Sequence, residues 1–216
     1  MDDYSLDLVL PPDLPNREAV IQGATRHLDL IVEANKYMNL TRITTPREAA
    51  IKHVLDSVIP WRLFAQAKRV LDAGTGAGFP GIPLALVLSD THFTMAESIQ
   101  KKARFVDSVL QDLKLPNAEI APRRAEELDA DLITARALAP ISKVLALFRP
   151  ALKKGARLLL YKGPDAEQEI AEAGKTPYRM EIVMRYDLPD GLGTRTIVEI
   201  CGARTPACRV ETRLDA

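Results

Sequence analysis

Arg69-Val-Leu-Asp-Ala-Gly-Thr-Gly-Ala-Gly-Phe-Pro-Gly-Ile-Pro83 is the stretch from which the fold can be read. Val70 and Leu71 end a short apolar strand, and Asp72 stands at its carboxyl end. Gly74, Gly76, Gly78 and Gly81 form a loop that no side chain blocks. Pro80 and Pro83 suit the first turn of a helix, where a missing N–H costs little. The apolar run from Ile82 to Leu88 packs that helix on a sheet. Strand, glycine loop and helix make the first half of a nucleotide-binding βαβ unit.

Two ligand classes fit such a loop. Gly76, Gly78 and Gly81 satisfy G-x-G-x-x-G, and the acidic Glu97 ends the next strand about 20 residues on, as a dinucleotide site requires. That leaves an NAD(P)-dependent oxidoreductase open. Against it, Asp72 directly precedes the glycines, where its charge would repel a pyrophosphate and suit an ammonium or sulfonium instead. The chain is also short for a dinucleotide domain plus a substrate domain. Asp72-x-Gly74-x-Gly76-x-Gly78 followed by Glu97 resembles the S-adenosylmethionine site of class I methyltransferases, which implies Glu97 on the ribose hydroxyls.

The whole chain sets the bounds. Its 216 residues suit one α/β domain with an extension, and 47% hydrophobic with 27% charged residues is ordinary for a folded protein. Lys plus Arg and Asp plus Glu are 29 each, so net charge announces no nucleic acid. Residues 1–15 hold Asp2, Asp3, Asp7 and Asp13 and no base, so the remainder is basic by those four charges, which points faintly to an anionic partner. Cys201 and Cys208 are too few for a disulfide framework or zinc site, and a reduced, cytoplasmic protein is expected. No metal site, signal peptide or membrane span is expected.

Outward from the loop, strands are expected near 69–72, 92–97, 118–121, 131–135, 156–161, 178–185 and 194–201. Helices are expected near 81–88, 99–114, 140–150 and 165–173. Leu188-Pro-Asp-Gly-Leu-Gly193 joins the last two strands as a hairpin, so the final strand is antiparallel. This is a Rossmann-like, seven-stranded, mostly parallel α/β sheet, similar to the class I methyltransferase fold, with N-terminal helices beside it. Asp13 or Asn16 can cap the first of these, with Ile21, Ala24, Leu28, Ile31 and Val32 on its buried face. Asn35 to Thr44 reads as a loop. Thr45-Pro46-Arg47-Glu48 is a capping box that opens a second helix, with Ile51, Val54, Leu55 and Val58 on its apolar stripe and Lys52, His53, Asp56 and Ser57 off it. The chain divides into a helical extension (1–66), a core (67–201) and a tail (202–216).

Candidate site residues gather where strand order should reverse. Arg123-Arg-Ala-Glu-Glu-Leu128 follows the third strand, where Glu126 could accept from an adenine amino group and Ala125 line the ring, or the loop could simply be solvated. Arg136 ends the fourth strand in an apolar context, where a charge needs a partner. His53 and Asp56 are three apart and share a helical face. Lys101 and Lys102 oppose the dipole in the first turn of their helix, which a nearby anion would explain. With Arg123, Arg124 and Lys162 they could form a basic rim for RNA, or stand as scattered surface charges.

Asn39-Leu-Thr-Arg42-Ile, His53-Val-Leu-Asp56-Ser57, Leu71 to Pro83, Lys101-Lys-Ala-Arg-Phe105, Ala135-Arg136-Ala137 and Lys162-Gly163 occur in that order. Together they resemble the glucose-inhibited division protein B family, the bacterial small-subunit ribosomal RNA methyltransferases G, over about residues 15–201. The resemblance implies that S-adenosylmethionine methylates N7 of one guanine in 16S ribosomal RNA; that RNA, free or within a small ribosomal subunit or its precursor, is the expected partner, and a monomer is the expected state. It implies cofactor contacts at Gly74, Phe79, Ala125, Glu126 and Arg136, beside Asp72, Gly76, Gly78 and Glu97 of the loop reading. Glu97 departs from the aspartate that relatives often show. Candidate substrate contacts are Asn39, Arg42, Lys101, Lys102, Arg123 and Lys162. Guanine N7 presents a lone pair, so no proton must leave before attack and positioning can supply most of the catalysis. Arg136, His53 and Asp56 are the candidate catalytic residues, with Asp56 placed to stabilise a cationic product. A noncatalytic RNA-binding module on the same fold is the remaining alternative.

Overall fold

The computed structural model describes residues 4–43 and 45–202. Seven strands form one sheet: β1 (Arg69–Ala73), β2 (His92–Ala96), β3 (Ala118–Ala121), β4 (Leu132–Arg136), β5 (Arg157–Lys162), β6 (Tyr178–Asp187) and β7 (Thr194–Gly202). Their order is β3-β2-β1-β4-β5-β7-β6. The pairs from β3 to β5 are parallel, and β7 runs antiparallel to both β5 and β6. Each expected strand is present within a few residues. Strand order reverses between β1 and β4, which opens a crevice at their carboxyl ends.

Both faces of the sheet are covered, so the central strands are buried on consecutive residues rather than on alternate ones. Val70, Leu132 and Leu159 pack into one core with Ile82, Phe93 and Val106. Leu71, Ile133 and Leu158 point the other way, onto Ile141, Val144 and Phe148. The first core also contains Tyr4, Leu6, Leu10, Leu14, Val20, Leu28, Ile51 and Val54, so the N-terminal segment buries its apolar side on the same core as the sheet.

The helices are α1 (Leu6–Val9), α2 (Arg17–Met38), α3 (Pro46–Ala49), α4 (Asp56–Val58), α5 (Gly81–Val87), α6 (Gln100–Leu113), α7 (Ile141–Lys153) and α8 (Ala166–Ala173). A π-helical segment, Ala50–Leu55, joins α3 to α4 without a break. Thr45 caps α3 by accepting the Glu48 N–H at 3.4 Å, as the capping box requires.

Several local expectations change. The helix α2 continues to Met38, so the expected loop begins at Asn39; Thr44 lies outside the described residues. Its buried stripe is Val20, Ala24, His27, Leu28, Ile31 and Ala34, while Val32 is 46% exposed, rotated a further 100° from Ile31. Asn16 stands at the N-cap position without capping; its side chain instead donates to the Val87 carbonyl at 3.0 Å. Asp13 pairs with Arg62 at 2.6 Å. Cys201 is buried in β7 and disulfide-bonded, contrary to the expected free thiol, and Cys208 and the rest of the tail beyond Gly202 lie outside the described residues. No helix among the described residues is long and apolar enough to cross a membrane.

One half-buried and one fully buried polar group hold the scaffold. The side-chain amide of Asn117 donates to the carbonyls of Ala85 and Leu88 at 3.0 Å and of Thr91 at 3.1 Å, closing the turn between α5 and β2 against the start of β3. Asn117→Ala would leave buried carbonyls unpaired, and urea denaturation should show a loss of about 1–3 kcal/mol. His27 is fully buried; its Nε2–H donates to the Ala77 carbonyl at 2.7 Å and its Nδ1 has no partner. Burial lowers its pKa to about 4 from an ordinary 6.5. Below pH 6.5 the unfolded chain gains a proton there that the folded chain refuses, so this contribution to stability is complete above pH 6.5 and falls as pH drops towards 4. The stability deficit of His27→Leu against the wild type should therefore stay constant above pH 6.5 and shrink below it. A deficit independent of pH would show that folding leaves this imidazole unperturbed.

Candidate functional site

Two cavities meet at the carboxyl edge of β1 and β4. The smaller, about 360 Å³, is lined by Gly74, Ala96, Glu97, Arg123, Ala125, Glu126 and Leu138 among others. The larger, about 630 Å³, is lined by Lys52, His53, Asp56, Arg136, Tyr161, Lys162 and Arg195 among others. Ala137 lines both, with a left-handed φ of 55°. The tripeptide at the end of β4 thus spans the site: Arg136 in the larger cavity, Ala137 between them, Leu138 in the smaller.

The glycine loop builds the smaller cavity. Backbone N–H groups of Gly74 and Thr75 donate to the Ala96 carbonyl at 2.9 and 3.1 Å, which draws the loop onto the end of β2. Gly76, at φ 62°, has open space where a side chain would stand; the nearest atom to a Cβ there is the Gly74 carbonyl oxygen at 4.0 Å. Gly78 is different. A Cβ there would run into Ile82 and lie 3.1 Å from the His27 ring, so this glycine serves packing and not a ligand. Asp72 also departs from expectation. It is fully buried, and its Oδ2 accepts the Thr75 hydroxyl at 2.6 Å and the Gly81 N–H at 2.9 Å. Burial raises its carboxyl to about 6 against the pull of these two bonds. It fastens the two ends of the loop together and does not line the cleft, because the strand end turns its side chain inward.

Glu97 does line the cleft. It is only 7% exposed, and its Oε1 accepts the Ile99 N–H at 2.8 Å, which leaves Oε2 uncommitted. Ala125 and Glu126 reach the same cleft from a single 3₁₀ turn, Ala125–Glu127, after β3. Gly74, Glu97, Ala125 and Glu126 are therefore brought together. The Phe79 ring is not with them: it is 5% exposed and stacks on His27 at 4.6 Å and on His53 at 4.5 Å between ring centres.

The π segment builds the larger cavity. Its i→i+5 spacing appears where the Asp56 N–H reaches the Ile51 carbonyl. Nη1 of Arg136 donates to the Lys52 carbonyl at 2.9 Å, to Asp56 Oδ2 at 3.2 Å and to Ser57 Oγ at 3.4 Å. Asp56 and Ser57 were expected off the apolar stripe; both are buried, because the β6–β7 hairpin closes over them. Tyr186 on β6 donates to Asp56 Oδ1 at 2.9 Å, and Arg195 on β7 lies 3.4 Å from Oδ2. Tyr161 donates to the Ser57 carbonyl at 2.8 Å. His53 bonds Thr41 Oγ1 through Nε2 at 3.0 Å, while burial, and then the Arg136 charge, lower its pKa to about 3.

The expected basic rim survives in part. Lys101, Lys102 and Arg123 stand at helix or loop starts on this edge and pair with no acid among the described residues. Lys162 does not belong with them. Its Nζ donates to the Ala139 carbonyl at 2.8 Å and Glu169 at 2.7 Å, so it is a tether between β5 and α8, with 11% of the side chain exposed. Asn39, at φ 49°, ends α2 and is exposed, as is Arg42; neither lines either of these two cavities, although Ile43 beside them lines the larger. The polar residue that shapes this loop is Asn35, which accepts the N–H groups of Leu40 and Thr41 and donates to the Thr41 carbonyl. Tyr186 and Arg195 carried no local signal in the sequence. No group of residues that could hold a metal occurs among the described residues.

Comparison with known proteins bears on the fold and the family. The family model for rRNA small subunit methyltransferase G (GidB) matches residues 20–192. A ribosomal RNA small subunit methyltransferase G of Solibacter usitatus is 62% identical over 203 residues, covering 90% of this chain and 97% of that protein. One from Symbiobacterium thermophilum is 38% identical, covering 83% and 81%. Among solved structures, an O-methyltransferase of Bacillus cereus in complex with SAH superposes with a TM-score of 0.57 at 18% identity, covering 93% of this chain and 96% of that one. TomG of Streptomyces achromogenes, in complex with SAM, gives 0.53 at 20% identity with the same coverage. The remote structures establish the fold and the sequence relatives establish the lineage: the chain belongs to the rRNA small subunit methyltransferase G family.

Proposed function

We propose that this chain transfers the methyl group of S-adenosylmethionine to N7 of a guanine in 16S ribosomal RNA, with the cofactor in the smaller cavity and the guanine in the larger. The observation that carries this reading is that the two cavities meet at Ala137 while the larger one holds no poised base. The pKa of His53 is held near 3, so its imidazole is a poor proton acceptor. Asp56 is committed to Arg136, Arg195 and Tyr186. A nucleophile that must first be deprotonated is poorly served here, whereas a purine N7 needs only to be aimed. Family membership removes the nicotinamide reading.

The residues fit the cofactor. Glu97 offers a free carboxylate oxygen for ribose hydroxyls, Ala125 and Glu126 stand where an adenine edge would lie, and the space over Gly76 is open. The bound cofactor supplies an electrophilic methyl group on a sulfonium. Arg136, Arg195 and Asp56 hold fixed charges at the wall of the larger cavity, and Asp56, already shared by the two arginines, is the acid that would offset part of the positive charge the base acquires. Lys101, Lys102, Arg123 and Arg42 serve RNA phosphates, which orient the strand without reading its sequence. Ile43, Lys52, His53 and Asp56 of the helical extension wall one side of the larger cavity, and the core supplies the rest of it together with the smaller cavity. The reading takes the enzyme as a cytoplasmic monomer acting on 16S RNA, free or within a small subunit or its precursor.

Labelled-methyl transfer to 16S RNA with mapping of the modified base tests the reading; a label anywhere but guanine N7, or none, overturns it. Glu97→Ala should weaken S-adenosylhomocysteine by about 1.5–3 kcal/mol in calorimetry, as for hydrogen bonds to a charged group. Arg136→Lys keeps the charge but loses the fork that meets three acceptors. It should lower methyl transfer at least about tenfold while S-adenosylhomocysteine affinity stays within a few-fold. A collapse of that affinity would instead put Arg136 in the cofactor site.

A further inference from the structure

Helix α2 outruns the sheet it packs on, and its last turn carries an exposed aromatic ring. Asn16, at its start, donates to the Val87 carbonyl at the end of α5, Gly23 packs against Leu86, and His27 reaches the Ala77 carbonyl in the loop before α5 begins. The two helices therefore run antiparallel. Beyond His27, α2 continues to Met38, past the glycine loop and on the carboxyl edge where both cavities lie. Tyr37 stands in its last turn and is 77% exposed. Every other phenylalanine, tryptophan and tyrosine of the chain is buried or half-buried, and the Tyr37 hydroxyl has no partner among the described residues. We propose that Tyr37 is a stacking platform for RNA, its ring taking up a base that flanks the guanine held in the larger cavity. This rests on the methyltransferase reading above and names a substrate contact for it.

A guanine drawn into a cavity has left its stack, so its neighbours lose a stacking partner, and an exposed aromatic face replaces it. The path from Tyr37 to the larger cavity is short and fixed. Asn35 donates to the Thr41 carbonyl at 2.9 Å and accepts the N–H groups of Leu40 at 2.6 Å and Thr41 at 3.1 Å, which pins the turn after α2 onto the helix itself. Thr41 then bonds His53 at 3.0 Å, and His53 and Ile43 both line the cavity. A ring on so firm a mount costs little further ordering when it binds. The charges around it suit a nucleic acid. Arg42, in the same turn, is exposed and pairs with no acid among the described residues. Lys36 is accounted for by the dipole of α2, yet it also offsets the negative helix end that would otherwise repel a phosphate. Glu48 is taken up by Lys52 at 2.6 Å, and Glu33 stands one turn back along α2. The stretch from Lys36 to Arg42 thus carries one free ring and two cations, the combination by which single strands are held.

The test is binding and methyl transfer by Tyr37→Ala and Tyr37→Phe on unmethylated small ribosomal subunits and on naked 16S RNA, using whichever the wild type methylates. The site is exposed, so both variants should fold, and unchanged affinity for S-adenosylhomocysteine checks this. Tyr37→Ala should weaken RNA binding about ten- to a hundredfold, with kcat/KM for RNA falling in step, while Tyr37→Phe, which keeps the ring, stays within about threefold of wild type. Stacking releases no counterions, so Tyr37→Ala should leave the salt dependence of binding as it is, whereas Arg42→Ala should lower its slope by about one. A benzophenone side chain introduced at position 37 should cross-link to 16S RNA beside the methylated guanine. Equal losses in Tyr37→Phe and Tyr37→Ala would make the contact a hydroxyl hydrogen bond and overturn the stack. Cross-linking to a protein of the subunit would assign the ring to that partner and overturn the proposal as well. A wild type that methylates neither substrate refutes the functional reading, whereas an active wild type with an unaffected Tyr37→Ala refutes only the platform.

Discussion

Asp56 is 2% exposed and carries three partners: Arg136 at 3.2 Å, Arg195 at 3.4 Å and the Tyr186 hydroxyl at 2.9 Å. A carboxylate withdrawn from water to this degree is tolerable only when its lone pairs are taken up, and removing a partner from such a buried pair costs about 3–5 kcal/mol. The three partners come from the end of β4 and from both strands of the terminal hairpin, while Asp56 itself comes from the N-terminal helical segment. One side chain therefore ties together the regions that enclose the larger cavity. Two arginines share this one acid, which leaves a surplus of positive charge at the wall of the larger cavity.

The glycine loop depends on a second buried carboxylate used in another way. Asp72 meets no cation; a hydroxyl and a backbone N–H hold it, and its second oxygen has no partner. Its raised pKa records that cost, and the return is a loop closed tightly enough to bring Gly74 and Thr75 onto the Ala96 carbonyl beside Glu97. The two acids divide the labour. Asp72 shapes the wall of the smaller cavity from behind, and Glu97 faces into it.

The separation of Arg136 from the cleft gives the site its chemical character. Its guanidinium is spent on Lys52, Asp56 and Ser57, so it fixes a field in the larger cavity instead of gripping the contents of the smaller one. Ala137, held in a left-handed conformation that costs an L-residue about 1–2 kcal/mol, makes the turn that lets consecutive residues serve different cavities. Such strain persists where the surroundings over-determine it, and Leu138 packed over Gly74 is part of that surrounding.

The seven strands, their order of appearance, the hairpin and the glycine loop were all legible in the chain, because each is written in local periodicity and turn chemistry that any short window contains. Glu97 could be named because it follows the end of β2, and Ala125 and Glu126 because the resemblance points to the loop after β3; segments that follow strand ends on one edge of a parallel sheet converge. What the sequence could not show is which polar residues would be buried. Asp56 and Ser57 look like a solvated helical face until Tyr186 and Arg195, 130 and 139 residues away, fold over them. Lys162 looks like a free cation until α8 brings Glu169 against it. Asp72 looks aimed at a ligand until the loop's own Thr75 and Gly81 claim it. In the first two cases the deciding energy is the desolvation of a charge by a distant segment, and in all three the direction of the side chain is settled by closure of the fold, so only the tertiary structure determines them.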